Sequence, residues 1–331
     1  MATHSRVVNA LYSASFYAWF PLVRLLTRLL PRRALNAIAR QTIGRFFDFR
    51  PKYLRAIRAN FSRILGKPVD SPEVVAAARK MIDNHSYHWI DFFYFGERPL
   101  SAARAHVEGI EEREKIFAAE REGRGVILAT AHLGNWYVGG FLLGGLDHKI
   151  HVVYKPDRFA IVEKLRSRMQ KRWGIGEIPV GSTMFSALPI VRALRDGQIV
   201  AMQCDRDFNN TGVAVEFFGR PAFFPRGPFV AAMATGAVVL PSFVLRTPDD
   251  NYRVAIEEPL PIARGGDPEA DLRANVEAFV AILERYVRAD PTQWYCFYPF
   301  WDDPSRTSVT RSSRRRRESG SSSLREDPPG P

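Results

Sequence analysis

The sequence predicts an α/β fold in which helices flank a mixed, mostly parallel central sheet, with an N-terminal helical segment before it. Three observations support this prediction. Short apolar runs alternate with helical stretches from Val126 onward, which is typical of a sheet covered on both faces. The first of these runs ends in a turn that carries a histidine. The first 60 residues differ in composition, being rich in aromatic and basic residues.

The region after residue 125 divides into candidate strands and helices. Apolar and β-branched runs predict six strands, at Val126–Thr130, Ile150–Tyr154, Ile199–Gln203, Val213–Phe217, Val238–Phe243 and Tyr252–Ile256. Helical periodicity predicts five helices, at Trp136–Leu143, Ile161–Trp173, Phe185–Arg195, Pro228–Thr235 and Asp271–Ala289. Further helices are expected between residues 54 and 120, one of them with Ser71 as N-cap and Pro72 at its first position.

Residues 1–60 contain eleven Arg and Lys but only one acidic residue, Asp48. Basic residues beside an aromatic, leucine-rich helix favour a segment that lies in the interface of an anionic membrane. The alternative is an ordinary core helix with a basic solvent face. Pro21, Arg24 and Arg28 make this stretch a poor membrane span and a poor signal peptide. We expect a protein at the cytoplasmic face of the inner or plasma membrane, held peripherally or by its N-terminus.

The domain boundaries follow the changes in composition. Residues 1–60 form the basic interfacial helices, residues 61–303 form the α/β domain, and the motifs described below lie within 126–302. The tail at 304–331 is dominated by Ser, Arg, Gly and Pro, a composition that predicts disorder.

The formal net charge of +12 calls for an anionic partner. The sequence shows no nucleic-acid-binding module, so we expect no nucleic acid. Cys204 and Cys296 provide neither a disulfide framework nor metal-ligand spacing. His85, His88 and Asp91 are spaced three apart, but their aromatic neighbours favour a packing role over a metal site. We therefore expect neither a metal nor a cofactor.

The stretch from Val126 to Tyr137 has the pattern of a functional strand end. A buried strand is followed by His132, Gly134 and Asn135, and an apolar helix begins directly afterwards. In open α/β sheets, ligands bind at the carboxyl ends of the strands. Asn135 is a suitable N-cap, so the helix would begin just past the histidine.

Several blocks of the chain together resemble the bacterial lipid A biosynthesis acyltransferase family (late acyltransferases), whose wider group includes phosphatidylinositol mannoside acyltransferases. They occur in the family's order over roughly residues 126–302. The blocks are 132–136, 154–156, the basic helix with Arg166 and Arg168, 194–198, 205–207 leading to 217–222, 227–228, and 291–295 with Trp301.

The resemblance implies a lysophospholipid acyltransferase-like α/β fold and transfer of a fatty acyl group from acyl carrier protein or acyl-CoA. The implied acceptor is a hydroxyl of a glycolipid, lipid A-type lipid or phospholipid at an anionic membrane surface. His132 is the implied general base, because a neutral imidazole accepts a proton near pH 7. The family has Glu or Asp five residues after this histidine, whereas this chain has Tyr137.

A neutral tyrosine can orient His132 but cannot supply negative charge. Three explanations are open. Another carboxylate replaces it, with Glu216 as the first candidate and Asp205 and Asp207 next. Alternatively, the enzyme is slow or uses a less demanding donor. Third, the protein is a non-catalytic, lipid-binding relative. Glu216, His132 and Tyr137 are therefore the catalytic candidates.

Most of the substrate-binding candidates are groups that could bind negative charge on the substrate. Backbone N–H groups of Gly134 and Asn135 can stabilise the carbonyl oxygen in the transition state. Arg166, Arg168 and Arg220 can bind phosphate, although surface arginine is the alternative. Asp205 and Asp207 are the remaining substrate-binding candidates. The phenylalanines at 217, 218, 223 and 224 wall an acyl channel or form ordinary core.

Overall fold

A seven-stranded mixed sheet organises the protein, in the strand order β1-β9-β8-β2-β5-β3-β4. A computed structural model describes residues 21–144, 148–156, 160–181 and 184–301. The sheet pairs are parallel except β8 with β9, and β6 and β7 form a separate antiparallel hairpin. The strands are β1 Val107–Glu108, β2 Val126–Thr130, β3 Ile150–Tyr154, β4 Gly176–Pro179, β5 Ile199–Gln203, β6 Val213–Phe217, β7 Arg220–Phe224, β8 Val238–Arg246 and β9 Tyr252–Ile256.

The described part of the chain begins in a helix, α1, at residues 21–29. The later helices are α2 Arg32–Asp48, α3 Pro51–Leu65, α4 Pro72–Gly96, α5 Leu100–Arg104, α6 Glu114–Arg121, α7 Trp136–Leu143, α8 Ala160–Arg172, α9 Leu188–Arg195, α10 Gly227–Thr235 and α11 Pro268–Ala289. The predicted α/β fold with a mostly parallel sheet is thus confirmed. Strands β1, β4 and β7 were not predicted, because they are very short or begin with polar residues and proline.

The two faces of the sheet are covered by different helices, as the alternation of side chains along a strand requires. On β2, Ile127 and Ala129 join a cluster with residues of α9, α10 and α11. On the same strand, Val126 and Leu128 face the opposite side and pack with Ile116 of α6. Helices α4, α7 and α8 form a further cluster on that side.

Side-chain caps fix the beginnings of two helices where the sequence predicted them. The side chain of Ser71 accepts a hydrogen bond from the backbone N–H of Val74 at the start of α4. The side chain of Asn135 accepts one from Val138 at the start of α7. These caps satisfy N–H groups that have no partner within the helix, so α7 begins at Trp136, four residues after His132.

A buried polar chain links α2 to the start of α7. Arg32 donates from Nε to Oδ1 of Asp91 at 2.5 Å and from Nη2 to Oδ2 at 2.7 Å. The hydroxyl of Tyr252 also donates to Asp91, and the side-chain amide of Asn135 donates to that hydroxyl at 3.0 Å. Asp91, Asn135 and Tyr252 are fully or almost fully buried. The N-terminal helices therefore contact the helix that follows His132.

An exposed aromatic and basic tip lies at the turn between α2 and α3. It consists of Arg45, Phe46, Phe49, Lys52 and Tyr53, all exposed. Among the large apolar residues in the described ranges, Phe49 is the most exposed, at 83%. Among the helices of the described residues, none is both long and apolar enough to cross a bilayer. The expected interfacial residues 1–20 and the tail at 304–331 lie outside the described residues.

The histidines of α4 lie in an aromatic cluster, as their neighbours predicted. His88 is buried, with its ring centroid 4.1 Å from that of Trp136 and 5.2 Å from that of Tyr137. Its neighbour His85 lies 4.7 Å from Phe297, centroid to centroid. Asp91 accepts hydrogen bonds from Arg32 and Tyr252 and does not contribute to a metal site with the histidines. No group of His, Cys, Asp and Glu suited to a metal ion occurs within the described ranges.

Burial of these two histidines predicts that the protein loses stability in acid. Burial, assisted by the charge of Arg206, lowers the pKa of His85 to about 3, and burial lowers the pKa of His88 well below its ordinary value of 6.5. Below pH 6.5 the unfolded chain therefore binds protons that the folded protein does not. The free energy of unfolding should fall by up to about 1.4 kcal/mol per pH unit for each histidine, measured by urea unfolding between pH 7 and 4.

The variant His88→Phe should make this pH dependence shallower, because one of the two groups is removed. The matched control is His106→Gln, a half-buried histidine whose ring lies against Phe95, apart from His85 and His88. An unchanged slope in His88→Phe would show that the buried imidazole does not titrate on unfolding.

Candidate active site

The centre of the site is a contact between His132 and Asp205 at the carboxyl ends of two neighbouring strands. Strands β2 and β5 are parallel and pair Thr130 with Gln203. His132 and Asp205 each lie two residues beyond these paired positions, so the sheet brings them level with each other. The Nδ1 atom of His132 is 2.8 Å from Oδ1 of Asp205.

The carboxylate of Asp205 accepts three hydrogen bonds. Besides Nδ1 of His132, the backbone N–H of His132 donates to Oδ2 at 3.0 Å, and the indole N–H of Trp294 donates to the same oxygen at 3.0 Å. Asp205 is 1% exposed. A buried carboxylate with several charge-assisted bonds is held in one orientation, and it holds His132 in turn.

These bonds determine which nitrogen of His132 can act as a base. An ionised carboxylate only accepts hydrogen bonds, so Nδ1 of the neutral imidazole carries the proton. The second nitrogen, Nε2, then has the lone pair. The His132 side chain retains 12% exposure and lines a cavity. The arrangement is that of a base oriented by a buried acid.

Burial and the nearby positive charge of Arg206 keep His132 neutral at physiological pH. Burial lowers the pKa of His132, and the positive charge of Arg206 lowers it further, which together outweigh the opposing effect of Asp205. Burial alone would raise the pKa of Asp205. His132, Arg206 and the Trp294 hydrogen bond reverse that effect, so its pKa lies below the ordinary value. The pair is therefore a neutral imidazole beside an ionised carboxylate.

A cavity of about 470 Å³ extends from His132 between α7 and the sheet. Its sheet wall is made of side chains on one face of five strands, among them Leu128, Thr130, Val152, Ala201, Val244 and Ile256. Residues of α7, including Gly139, Gly140 and Phe141, form the opposite wall. The volume lies within the range of small-molecule sites, and the mostly apolar lining suits a hydrocarbon chain.

Tyr137, which stands at the expected acidic position, lies in the aromatic cluster of α4. Its ring centroid is 4.3 Å from that of Phe92 and 5.2 Å from that of His88. It also lines the cavity. The one proton on Nδ1 of His132 is already donated to Asp205, so the orienting role that the sequence assigned to Tyr137 is filled by Asp205 in this structure.

Glu216, the first candidate for the replacement carboxylate, is not brought to His132. It is exposed on β6, opposite Pro221 of β7, and lines a surface depression with Glu277, Glu284 and Arg288. Its position in the hairpin, outside the main sheet, separates it from the strand ends. Asp205, ranked after it, has the contact that Glu216 was expected to make.

The structure corrects the expectation that the amides of Gly134 and Asn135 stabilise a transition-state oxygen. The N–H of Gly134 donates to the carbonyl of Gln293 at 2.9 Å, and the N–H of Asn135 donates to the carbonyl of Val244 at 2.7 Å. Both donors are thus used to hold the turn against β8 and the C-terminal segment. Gly134 has a φ of +67°, which glycine adopts without strain.

The candidate arginines occupy three different environments. Arg166 is buried, donates to Glu163, Gln170 and Glu177, and stacks on Tyr154. Two carboxylates therefore already balance its charge, although it lines the cavity. Arg168 is exposed on α8, and Arg220 is exposed at the start of β7.

Asp207 and the four candidate phenylalanines stabilise the fold near the site. The carboxylate of Asp207 accepts hydrogen bonds from the backbone N–H groups of Asn209, Thr211 and Gly212, so it braces the loop after β5. Phe217, Phe218 and Phe224 are buried in the cluster beneath α9–α11. None of the four phenylalanines is among the residues that line the cavity.

Two site residues were missed by the sequence analysis. Arg206 lines the cavity with His132 and donates from Nη2 to the backbone carbonyl of Tyr295 at 2.9 Å. Trp294 donates to Asp205. Both lie inside sequence blocks that carried the family resemblance, so their place in those blocks was the available signal.

Comparisons with known proteins match most of the chain to acyltransferases. The family model described as bacterial lipid A biosynthesis acyltransferase matches residues 5–302. Phosphatidylinositol mannoside acyltransferases from two strains of Mycobacterium tuberculosis, CDC 1551 and H37Rv, are 25% identical over 287 residues, covering 81% of this chain and 85% of theirs. The Mycolicibacterium smegmatis protein of the same name is 24% identical over 249 residues, covering 74% and 78%.

The electrostatics of the pair predict the effect of Asp205→Asn on His132. The substitution removes the negative charge that opposes burial and Arg206, so the pKa of His132 should fall further below its ordinary value. The loss of charge-assisted bonds should also destabilise the fold by about 1–3 kcal/mol. Histidine NMR titration would measure the pKa, and a rise in it would contradict the assigned contacts.

Proposed function

This chain belongs to the bacterial lipid A biosynthesis acyltransferase family and is an acyltransferase, and from that premise we propose its reaction. It moves a fatty acyl chain from a thioester carrier, acyl-CoA or acyl carrier protein, to a hydroxyl of a glycolipid. His132 is the general base and Asp205 is its orienting acid.

The contact between His132 and Asp205 at the wall of an apolar cavity carries this proposal. Asp205 fixes the tautomer of the imidazole, and the low pKa of His132 keeps its Nε2 available as a base at pH 7. Tyr137 stands where the family has a carboxylate, which argued against catalysis. Because Asp205 supplies a carboxylate to His132, that argument no longer applies. The enzymatic interpretation is therefore favoured over a non-catalytic lipid-binding role.

The reaction has two steps at His132. Nε2 takes the proton from the acceptor hydroxyl as the oxygen attacks the thioester carbonyl carbon. The resulting tetrahedral intermediate then expels the thiolate as the carbon–sulfur bond breaks. The imidazolium returns its proton to that sulfur, giving an ester and a free carrier thiol. Asp205 stabilises the imidazolium between these steps without accepting its proton.

Arg206 is our candidate for stabilising the oxygen of that intermediate. The nearby amides of Gly134 and Asn135 are already bonded to Gln293 and Val244. Arg206 lines the cavity beside His132, and a guanidinium carries five N–H donors. A fixed positive charge next to developing negative charge is the usual means of lowering such a barrier.

The substrates occupy opposite sides of this centre. The acyl chain lies in the cavity between α7 and the sheet, whose walls are largely apolar. The acceptor is a lipid with hydroxyl groups on its headgroup, and the relatives' names make a mannosylated phosphatidylinositol the first acceptor to test. We assign the protein to lipid or glycolipid biosynthesis on this basis.

The aromatic and basic tip between α2 and α3 is our proposed contact with an anionic membrane. Phe47, at the base of the tip, stacks on Phe297 with ring centroids 5.4 Å apart, and Phe297 lines the cavity. The tip therefore adjoins the cavity. Exposed aromatic rings with Arg45 and Lys52 beside them suit the interface of a bilayer with acidic lipids. Binding at the cytoplasmic face would bring lipid acceptors to His132.

Substitution of either His132 or Asp205 should strongly reduce transfer. We expect His132→Ala to lower kcat/KM by about 10²–10⁴-fold, and Asp205→Asn to lower it by up to about 10⁴-fold because the tautomer is lost. In the unaltered protein the acid limb of kcat/KM should lie below pH 6.5, since the pKa of His132 is lowered. Release of free thiol from palmitoyl-CoA, dependent on added glycolipid, measures the reaction.

Three further variants sharpen this test. Glu216→Gln is the matched control and should leave transfer unchanged. Arg206→Gln should lower kcat and leave the binding of palmitoyl-CoA nearly unchanged. Tyr137→Glu should not raise the rate, because Asp205 already occupies Nδ1. Full activity in Asp205→Asn would exclude the proposed pair, and binding of both lipids without turnover would favour the accessory role.

Removal of aromatic rings from the tip should weaken membrane binding. The double variant Phe46→Ser/Phe49→Ser should bind about tenfold or more weakly to vesicles that contain phosphatidylglycerol, because buried apolar area drives interfacial binding. Leu188→Ser on α9, which replaces an apolar side chain that is 60% exposed, is the matched control. Sedimentation with vesicles measures both, and equal loss in the two variants would argue against the tip.

A further inference from the structure

The cavity has a definite far end, away from His132. Helix α7 begins beside His132 and ends at Leu143, and eight helical residues span about 12 Å. Leu143 and Ile150 both line the cavity. Ile150 pairs with Ile199, which also pairs with Val126, four residues before Thr130. The far end thus lies about 13 Å along the strands from Thr130.

Helix α6 closes this far end. The ring of Phe117 stacks on His148, with centroids 4.3 Å apart, just before β3 begins. Ile116 lines the cavity and packs with Leu128 and Ile150. Arg113 lines the cavity too and stands one helical turn before Ile116. The cavity wall on the side of α6 therefore combines the apolar Ile116 with Arg113.

One nitrogen of the Arg113 guanidinium lacks a hydrogen-bond partner among the described residues. This nitrogen is Nη1, and it is buried. Leaving such a donor buried costs free energy that an apolar residue would not cost. A charged group at the end of an apolar cavity also disfavours contact with a hydrocarbon methyl group, because that contact would bury it further.

We propose that Arg113 sets the maximum length of the acyl chain that the enzyme accepts. This inference rests on the proposed function, in which the chain lies in the cavity with its carbonyl at His132. The methyl end of a chain of fitting length stops short of the guanidinium. A longer chain must either displace Arg113 or leave its carbonyl carbon away from Nε2 of His132.

A substitution in the wall formed by α7 should shorten the acyl chain that the cavity accepts, which is the opposite of removing Arg113. Gly140 lines the cavity, and a Cβ atom placed on it would lie 3.6 Å from Cδ1 of Ile175, an ordinary contact. A methyl group is therefore tolerated there, and a larger side chain would have to occupy cavity space. Gly140→Leu should consequently shorten the accepted chain, whereas Arg113→Ala should lengthen it.

The test measures kcat/KM for saturated acyl-CoA donors from 10 to 20 carbons with a mannosylated phosphatidylinositol acceptor. In Arg113→Ala, the ratio of kcat/KM for a chain about two carbons above the optimum to that for the optimum should rise about tenfold or more. Arg113→Lys keeps a charged end and should retain the original preference. The matched control is Arg121→Ala on α6, whose side chain is 68% exposed and which does not line the cavity.

Equilibrium binding of the same acyl-CoA series, measured by competition with a fluorescent fatty acid, separates this inference from the proposed function. If no variant transfers acyl groups but the binding preference lengthens in Arg113→Ala, the reaction is wrong and the length limit stands. If transfer occurs and the optimum is the same in Arg113→Ala and in the unaltered protein, the length limit is wrong. Identical shifts in Arg113→Ala and Arg121→Ala would also overturn it.

Discussion

The carboxylate of Asp205 is the constraint on which the site depends. It receives hydrogen bonds from the backbone and ring of His132 and from the indole of Trp294, so it joins two strand ends and the C-terminal segment. Because it is buried, losing any of these donors would expose an ionised group to an apolar environment. The same contacts that orient His132, the proposed base, therefore also hold the end of the sheet together.

Much of this could be predicted from the sequence, because the local patterns were strong. The apolar runs gave the strands β2 and β5 with their correct ends, and Asn135 gave the start of α7. The partner of His132 was ranked too low because strand order is not a local property. Only the parallel pairing of β2 with β5, in the register of Thr130 with Gln203, brings Asp205 to His132. Glu216 lies in a hairpin outside that sheet.

The turn after β2 illustrates a second limit of sequence reasoning. Its glycine and helix start suggested free amides for an oxyanion, but backbone carbonyls of Gln293 and Val244 use both donors. Those partners are more than a hundred residues away along the chain, so no local pattern indicates them. Arg206, which lines the cavity, is the proposed source of the positive charge that the amides cannot supply. Tyr137 likewise belongs to the aromatic packing of α4, with no charged role beside the imidazole.

The polar chain from Arg32 through Asp91 and Tyr252 to Asn135 has a consequence for how the protein can be divided. The composition suggests cutting at residue 60, but a fragment beginning there would lack Arg32 and leave Asp91 buried without its cation. Breaking a buried ion pair in this way typically costs about 3–5 kcal/mol, a large part of a domain's stability. We therefore expect the α/β domain and its N-terminal helices to unfold as a single cooperative unit, and shortened versions intended for crystallisation should retain α2.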